Sequence, residues 1–202
     1  MVKKLCMVGM VAAMAAAPAA FAGSMPAGAV AGYVTMSEID VEAFGKDDGN
    51  GFGLKGWASL NGPWFVHGEY QTTSLDDLGG DLESLRLGGG FTGDMGSGMM
   101  WMAKAEYVDF GSDADESGFG VHGGLMFGVG QPLSGFATIG YLMLGGDDVD
   151  VDGIEFDVGA KYSFTKEWAG FADYRAFMGG TDPDVGDFEV TDIRIGAAYS
   201  FY

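Results

Sequence analysis

The sequence is poor in cysteine, proline and basic residues. Its 202 residues include 1 Cys, 5 Pro and 2 His, and 10 Lys and Arg stand against 29 Asp and Glu, for a formal net charge of -19. Because so few cations cannot form a patch that neutralises phosphates, nucleic acid is not expected as a partner. The lone Cys6 leaves no intramolecular disulfide. Scarce proline and no Gly-X-Y period exclude Pro-rich and collagen-like chains.

What the sequence has in abundance is glycine and apolar side chains. There are 37 Gly, 48% hydrophobic residues and 13% aromatic residues. A chain this apolar is not intrinsically disordered, in spite of its acidic excess. Beyond residue 22, no apolar stretch approaches the ~20 residues of a membrane-spanning helix. The composition therefore favours strands joined by tight turns.

The N-terminus has the pattern of a secretory leader. Two lysines precede the apolar run Leu5–Ala17, and the small-residue motif Ala20–Ala22 follows it. A transmembrane helix is disfavoured because the run is short and ends in small residues. We predict cleavage of residues 1–22, which removes Cys6 and two lysines, so the net charge becomes 8 − 29 = -21. Residues 23–202 are then the exported chain, which we predict to be one domain.

Apolar residues recur at every second position along much of this domain, which is the period of a half-buried strand. Between Ile154 and Phe164 the even positions are apolar, while the odd positions are charged or small. The same alternation holds in segments 84–91, 101–108, 118–127 and 168–175. It is less clean near 33–43, 52–60 and 64–72.

The connections between these segments alternate in length. Short ones lie at Asn61–Pro63, Thr92–Gly98, Gly130–Ser134 and Thr165–Glu167, and longer acidic ones lie between them. Five hairpins of this kind predict a closed, antiparallel, up-and-down all-β barrel of ten strands. The 180 residues after the leader leave 18 per strand and connection, which suits the ~9–11 residues of a tilted transmembrane strand. Eight strands is the alternative, if one weak N-terminal strand is miscounted.

Two features indicate that the apolar face points to lipid and the polar face into the barrel. First, the polar face carries charges of both signs, which tolerate burial when they are paired. Its predicted members are Lys55, Glu69, Arg86, Lys104, Glu106, Glu155, Asp157, Lys161, Asp173, Arg175 and Arg194, with Glu38, Asp40 and Glu42.

Second, the aromatic residues fall into two clusters, as they do at the two interfaces of a membrane. The cluster near the short turns consists of Tyr33, Trp64, Phe91, Trp101, Phe127, Tyr162, Phe164, Trp168, Tyr199 and Phe201. The cluster near the long loops consists of Phe44, Phe52, Tyr70, Tyr107, Phe119, Tyr141 and Tyr174. Aromatic residues are enriched in any sheet, but a soluble sheet has no reason to sort them by height.

The C-terminus resembles the assembly signal of bacterial outer-membrane barrels. Arg194, Gly196, Tyr199 and Phe201 follow its order of polar residue, glycine, aromatic, aromatic, although Tyr202 extends one residue beyond it. With this motif the chain resembles the small outer-membrane barrels that include OmpX and the OmpA transmembrane domain. The resemblance implies a monomer in the outer membrane, with its lipid, lipopolysaccharide and the barrel-assembly machinery as partners.

A barrel of this width is about filled by its own side chains. We expect a plugged, ion-paired lumen, in which large residues pack against inward glycines such as Gly88 and Gly90. The expected large residues are Trp57, Phe65, Met102, Phe171 and Phe177. The function expected of such a barrel is envelope structure or surface interaction; the alternative is a narrow channel for small ions.

The acidic loops raise the question of a metal. Asp147, Asp148, Asp150 and Asp152 form a run of carboxylates of the kind that binds Ca²⁺ or Mg²⁺, and the segment Thr181–Asp187 is similar. Neither matches the EF-hand loop, so solvated acidic loops are favoured. Divalent cations stay an option because they would bridge these loops to anionic lipopolysaccharide. No cofactor is expected.

Enzymatic activity is not expected. His67 and His122 are the two histidines, and both are predicted to face inward. No serine lies two positions from either one on that face, and the neighbours expected of His67 are Glu69 and Glu106. An inward histidine of this kind is more often a hydrogen-bonded lumen residue than a catalyst. A lipid-modifying enzyme or protease is the least favoured alternative.

Overall fold

The computed structural model describes residues 26–41, 45–76, 80–111, 116–145, 150–180 and 187–202. The predicted leader, residues 1–22, lies outside these ranges. Ten strands make up the described chain. They are β1 (Gly28–Val41), β2 (Gly45–Ser59), β3 (Trp64–Leu75), β4 (Asp81–Gly96), β5 (Met99–Gly111), β6 (Glu116–Phe127), β7 (Leu133–Gly145), β8 (Asp150–Ser163), β9 (Trp168–Gly180) and β10 (Asp187–Phe201).

The strands form a single closed barrel. Each strand pairs antiparallel with its neighbours in sequence, and β1 closes the sheet by pairing with β10 from Gly28↔Phe201 to Val41↔Phe188. The prediction of ten strands is confirmed, and the alternative of eight is wrong. Closure leaves no open sheet edge, so the strand backbone groups find partners within the sheet. No helix in the described part of the chain is long and apolar enough to cross a membrane.

Short turns join the strands at one end of the barrel, called here the short-turn end; the opposite end is the long-loop end. The β4–β5 turn is tighter than predicted: β4 extends to Gly96 and β5 begins at Met99. Gly96 and Gly98 have φ of 80° and 74°, and Ser97 between them has φ of 56°. Such left-handed values suit glycine and allow a two-residue connection where a seven-residue one was expected.

The outer surface carries the apolar set of the alternation. Phe119, Val121 and Leu125 on β6, for example, are exposed, while His122 between them is buried. Aromatic rings near the short-turn end contact one another across strands: Trp64 and Phe91 have centroids 5.4 Å apart, and Phe91 and Trp101 5.3 Å. Near the long-loop end, Tyr107 and Phe119 are 5.7 Å apart. The outer surface is therefore an apolar band with aromatic contacts at both ends.

Strand β1 has the opposite phase to the one predicted. Tyr33, expected in the outer aromatic cluster, is only 5% exposed and faces the interior. Glu38 and Asp40, expected inside, lie on the outer surface, where their carboxylates are 2.7 and 3.3 Å from Nζ of Lys46. Because the side-chain period of a strand is two, an error of one residue moves every side chain to the other face. The predicted Glu42 and Phe44 lie outside the described residues.

The reason for the error is visible in the strand itself. The outward residues of β1 begin as Val34 and Met36, which are exposed and apolar, and become acidic only toward the long-loop end. The inward residues include Thr35 and Ser37, which are polar but uncharged. In the sequence pattern, the two acidic residues give the outward face the character of a polar face. That pattern therefore assigns the inward face, with the hydroxyl groups of Thr35 and Ser37, to the outside of the barrel.

Glycine makes room inside the barrel at defined positions, and this generates a prediction about stability. A Cβ added to Gly53 would lie 2.3 Å from Cζ of Tyr33, whereas one added to Gly32 would come no closer than 3.6 Å to Cδ2 of Leu54. We expect Gly53→Ala to lower the free energy of unfolding by about 1–3 kcal/mol, as overpacking does. Urea unfolding of the barrel in detergent micelles measures this.

Gly32→Ala is the matched control for this comparison, since it adds the same methyl group to a strand glycine with free space. It should leave the urea midpoint unchanged or raise it slightly, because alanine costs less conformational entropy in a strand than glycine. Equal midpoints for the two variants would contradict the packing of Tyr33 against Gly53.

Candidate functional site

The charged interior of the barrel is the candidate functional site. Eleven ionisable side chains, five basic and six acidic, lie at the middle of the lumen and are called here the ion layer. They are Lys55, Glu69, Arg86, Lys104, Glu106, Glu155, Asp157, Asp173, Arg175, Asp192 and Arg194. Ten of the fourteen predicted lumen charges thus come together; Glu38 and Asp40 lie outside the barrel, Glu42 is not among the described residues, and Lys161 stands apart.

Arg194 on β10 is the centre of one half of this layer. Its Nη1 and Nη2 donate to Glu69 and Asp157 at 3.0 Å each, and its Nε donates to Asp173. Asp173 also accepts from Nζ of Lys55 at 2.6 Å. A guanidinium presents five donors in a fixed planar fork, which suits it to holding three carboxylates from three strands at once.

Arg175 extends this network toward the long-loop end. Its guanidinium lies 3.0 Å from Glu69 and 2.8 Å from Asp192. Asp192 in turn accepts a hydrogen bond from Ser37 on β1 at 2.6 Å. Lys55, Arg175 and Arg194 with their acidic partners therefore join β2, β3, β8, β9 and β10 through the lumen.

Arg86 on β4 is the centre of the other half. It makes a two-point contact with Glu155 on β8, at 2.9 and 2.6 Å, and its Nη1 also donates to Glu106 at 3.0 Å. Lys104 donates to Glu106 at 2.7 Å. Since β4 and β8 are not neighbours in the sheet, the Arg86–Glu155 pair crosses the interior of the barrel.

Both histidines lie beside the same carboxylate. Nε2 of His122 is 2.9 Å from Glu106, and Nε2 of His67 is 3.4 Å from it. The imidazole of His122 rests against the backbone of β7, where a Cβ on Gly140 would meet its Nδ1 at 2.0 Å. The prediction that the histidines face inward and that Glu106 approaches His67 is confirmed.

Tyr33 and Asp192 are part of the site, although the sequence analysis did not place them there. The hydroxyl of Tyr33 donates to Glu69 at 2.9 Å, and the Arg194 guanidinium lies over its ring at 5.8 Å. Asp192 could have been found from its spacing, because it precedes Arg194 by two positions and so shares its face. Tyr33 could not, since the phase of β1 was inverted.

Lys161 stands apart from the ion layer. It faces the lumen as predicted, but on β8 it lies beyond Asp157 toward the short-turn end. No ion-pair partner for it is found within the described ranges of the chain. It is partly exposed, so water reaches its ammonium.

Large apolar side chains border the ion layer on both sides. Toward the long-loop end lies an apolar cluster of Val108, Leu142, Leu144, Val151 and Phe177, against which Phe110, Phe188 and Val190 pack. Toward the short-turn end, Trp57, Phe65, Met102 and Phe171 face the lumen and are half-buried, as predicted. The ring of Phe65 fits over Gly90, where a Cβ would lie 2.9 Å from Cζ.

The two sides differ in their access to water. On the short-turn side, the side chains of Lys55, Asp157 and Lys104 are 25%, 22% and 17% exposed. On the long-loop side, those of Arg86 and Arg175 are 5% and 7% exposed. A cavity of about 20 Å³ lies between the ion layer and the apolar cluster, which is room for about one water molecule. Water thus enters the lumen from the short-turn end and meets a filled interior.

A metal site within the ion layer is conceivable on distance alone. Ligand atoms of Glu106, His122 and Glu155 lie within 4.8 Å of one another. However, Arg86 and Lys104 already neutralise these carboxylates, so a divalent cation would be repelled by two fixed positive charges. The arrangement suits an ion-paired core better than a metal centre.

The loop carboxylates proposed as weak metal candidates are only partly described. Asp147 and Asp148 lie outside the described residues, as does most of the Thr181–Asp187 segment, and the side chain of Asp150 is not described either. Asp152 is exposed, and it accepts a hydrogen bond from the hydroxyl of Tyr141. The divalent-cation hypothesis for these loops stays a prediction.

The residues of the predicted assembly signal occupy the closing strand. Arg194 enters the ion layer, and Gly196 lies under Tyr33, where a Cβ would be 2.7 Å from the Cβ of that residue. Tyr199 faces outward and contacts Trp168, with centroids 5.1 Å apart. Phe201 pairs with Gly28 at the barrel seam. Their role in assembly stays a prediction.

These features define a class of protein: a narrow, closed antiparallel barrel with an apolar exterior and a charged interior. The structure is similar to the COG4313 outer membrane channel of Pseudomonas putida F1, with a TM-score of 0.57 at 10% identity over 91% of this chain and 100% of that one. Neisserial surface protein A gives 0.46 at 11% identity, over 87% and 97%. The Ail protein of Yersinia pestis gives 0.44 at 16% identity, over 88% and 100%.

The chain therefore has the fold of the bacterial outer-membrane β-barrels, as the resemblance in its sequence implied. At these identities the similarity describes the fold. Neither a family model nor a curated protein matches the sequence.

The burial of Arg194 generates a prediction. Arg194→Met removes the cation shared by Glu69, Asp157 and Asp173 and leaves their charges buried. We expect the free energy of unfolding to fall by about 3–5 kcal/mol, because an uncompensated buried charge is costly. Denaturant unfolding in micelles measures the loss.

Lys46→Met is the control, since it removes a cation from an exposed ion pair on the outer surface of the same barrel. Exposed pairs contribute little, so its unfolding curve should overlay that of the unaltered protein. An Arg194→Met variant as stable as this control would mean that the ion layer is solvated and does not hold the barrel together.

Proposed function

We propose that this chain is an integral outer-membrane protein whose filled, ion-paired lumen makes it a structural or surface-interaction protein of the envelope. The observation that carries the proposal is the burial of the ion layer around Arg86: Arg86, Glu106 and Glu155 are at most 5% exposed, although they face the lumen. Side chains that form a fixed core do not leave a path for solutes.

The membrane location is supported by the outer surface. Phe119, Phe52 and Trp64 are 64%, 62% and 55% exposed, and they belong to a band that surrounds the barrel. An apolar surface of this extent would cause aggregation in water and is stable only against acyl chains. The predicted export leader and C-terminal signal supply the route to the outer membrane, as expected from the sequence.

The long-loop end supports a role in surface interaction. With the short turns and both chain ends at the opposite end, the longer acidic connections would face the cell exterior. Their carboxylates, among them Asp152 and Asp187, would lie next to lipopolysaccharide phosphates. Bridging divalent cations would offset the repulsion between these groups, which makes lipopolysaccharide the proposed partner of the loops. A monomer is proposed because the barrel is closed within one chain.

A narrow ion channel is the second candidate, and one observation favours it. Water reaches Lys55, Lys104 and Asp157 from the short-turn end, so half of a polar pathway exists. On the other side, however, the lumen residues are buried whether they are apolar, as Val108 and Leu142 at 0% exposed, or polar, as Thr73 at 0%. We therefore rank the plugged barrel above the channel.

An enzymatic role is not proposed. Catalysis by a histidine would need a nucleophile or a substrate-accessible face beside it. His122 is instead 1% exposed and lies next to Glu106 and Arg86 in the ion layer. These neighbours make it part of the ion-paired core of the barrel.

Membrane insertion can be tested with the four tryptophans. Trp57 faces the lumen, while Trp64, Trp101 and Trp168 face outward. In vesicles of brominated lipid, a variant that keeps Trp101 alone should be strongly quenched, and one that keeps Trp57 alone should be quenched much less, since bromine acts at short range. Equal quenching of the two variants, or a folded protein that stays dissolved without detergent, would refute the proposed location.

Conductance separates the plugged barrel from the channel. We expect the refolded barrel to give no steady unitary openings in a planar bilayer with KCl on both sides, because fixed ion pairs and buried lumen side chains exclude permeant ions. A general-diffusion porin in the same bilayer serves as the positive control. Reproducible openings from this barrel would overturn the plugged-lumen proposal in favour of the narrow channel, and would leave the membrane location intact.

A further inference from the structure

Three methionines face the lumen at its short-turn end. Met100 and Met102 lie on the same face of β5, and Met126 lies on the inward face of β6. They are the inward methionines of the described part of the chain. Met36, Met99, Met143 and Met178 face outward by the same alternation. The inward thioethers are thus concentrated on two adjacent strands at one mouth of the barrel.

The register of these strands brings the three side chains together. Met100 is directly opposite Met126, and Met102 is opposite Gly124, the next inward residue of β6. Directly opposed side chains have Cβ atoms about 4.5–5.5 Å apart, and diagonal neighbours about 7–8 Å. Gly124 itself adds no side chain between Met102 and Met126, and the methyl group of Thr138 on β7 lies over it. Three flexible methionine chains at this spacing can turn their sulfur atoms toward a common point.

A carboxylate lies beside the three methionines, on the neighbouring strand β4. Asp94 on β4 is the cross-strand partner of Met100, and it is exposed at the rim of the mouth. Its Oδ1 accepts a hydrogen bond from the backbone N–H of Gly96 at 2.7 Å, which fixes the carboxylate there. Its negative charge favours a cation at the position where the thioethers converge.

The position of this group sets it apart from the methionines of a buried core. Methionine fills irregular gaps in buried cores, but Met100, Met102 and Met126 are half-buried, at an end of the lumen that water enters. At the same end, other strands place inward both small polar residues, Ser134 and Ser163, and aromatic rings, among them Phe65, Phe136 and Phe171. On β5 and β6 the large inward residues are instead thioethers, and two of them, Met100 and Met126, stand directly opposite each other.

We propose that Met100, Met102 and Met126 form a binding site for a soft monovalent cation, Cu(I) or Ag(I), with Asp94 beside it. Thioether sulfur is a soft ligand that selects such ions over the hard cations Ca²⁺ and Mg²⁺. The half-buried position gives the ion a path from solution, and the three-sulfur set leaves room for a fourth ligand such as water. This site is independent of the lumen charges and of the proposed envelope role.

The test uses Ag(I) as the probe, because it has the softness of Cu(I) without its redox chemistry. The mature barrel, refolded in detergent and labelled with ¹³C at the methionine methyl groups, is titrated with silver nitrate and followed by NMR. We expect the methyl resonances of Met100, Met102 and Met126 to shift together and saturate at one equivalent. The resonances of Met143 and Met178 should not move, and Mg²⁺ should move none.

Two paired variants make the assignment falsifiable. Met100→Leu with Met126→Leu keeps side-chain volume and should weaken Ag(I) binding by more than about tenfold in competition with a soft chelator. Met143→Leu with Met178→Leu removes the same number of sulfurs from the outer surface and should leave the affinity unchanged. Heat-modifiable migration in gels checks that both double variants are folded. If the Met100→Leu, Met126→Leu variant does not fold, the single variant Met102→Leu replaces it in the binding assay.

The proposal is overturned if saturation needs many equivalents with all methionines shifting alike, or if the two paired variants bind equally well. Either result would mean that the thioethers at the short-turn end contribute to packing and do not form an ion-binding site. Since the titration is performed on the isolated barrel, its failure says nothing about conductance or membrane insertion.

Discussion

A charge that leaves water must be paired, and this constraint governs the interior of the barrel. Closing ten strands removes the sheet edges but encloses a narrow space that the inward side chains have to fill. Eleven of them form the ion layer, and an unpaired charge at such a site costs several kcal/mol. The pairs Arg86–Glu155, Arg194–Glu69 and Arg175–Glu69 meet that demand across the lumen, and they link strands that are not neighbours in the sheet.

Inward glycines leave space for these long side chains. A lumen of fixed width holds an arginine or an aromatic ring only where the facing position is nearly empty. Tyr33 occupies the space at Gly53, Phe65 that at Gly90, and the imidazole of His122 that at Gly140. The 37 glycines of the sequence are therefore as much a packing feature as a source of turns. Large and small residues alternate around the wall so that the layers fit.

The fold followed from the sequence where one face of a strand is uniformly apolar, as in β8, whose alternation sets the phase without ambiguity. The prediction failed in β1, because Glu38 and Asp40 lie on the outer face beyond the apolar band. Assigning them to the inner face also placed Tyr33 on the wrong face. The ion layer could be predicted as a set of inward charges. The pairs between non-adjacent strands, such as Arg86 with Glu155, could not, because they depend on which strands face each other across the lumen, and a single strand's pattern holds no information on that.

The asymmetry of the lumen explains why a polar interior need not conduct. Conduction requires sites that an ion enters and leaves easily. Here the hydrated side ends at carboxylates that already have guanidinium partners, so a permeant cation would compete with Arg86, Arg175 and Arg194 for each one. Beyond them, the apolar side chains of Val108, Leu142 and Phe177 lie at the same end of the lumen as the buried Gln71 and Thr73. An ion would have to break a buried pair and then displace buried side chains, two barriers in series, and each side chain that forms them also stabilises the barrel. Rigidity and closure thus arise from the same residues.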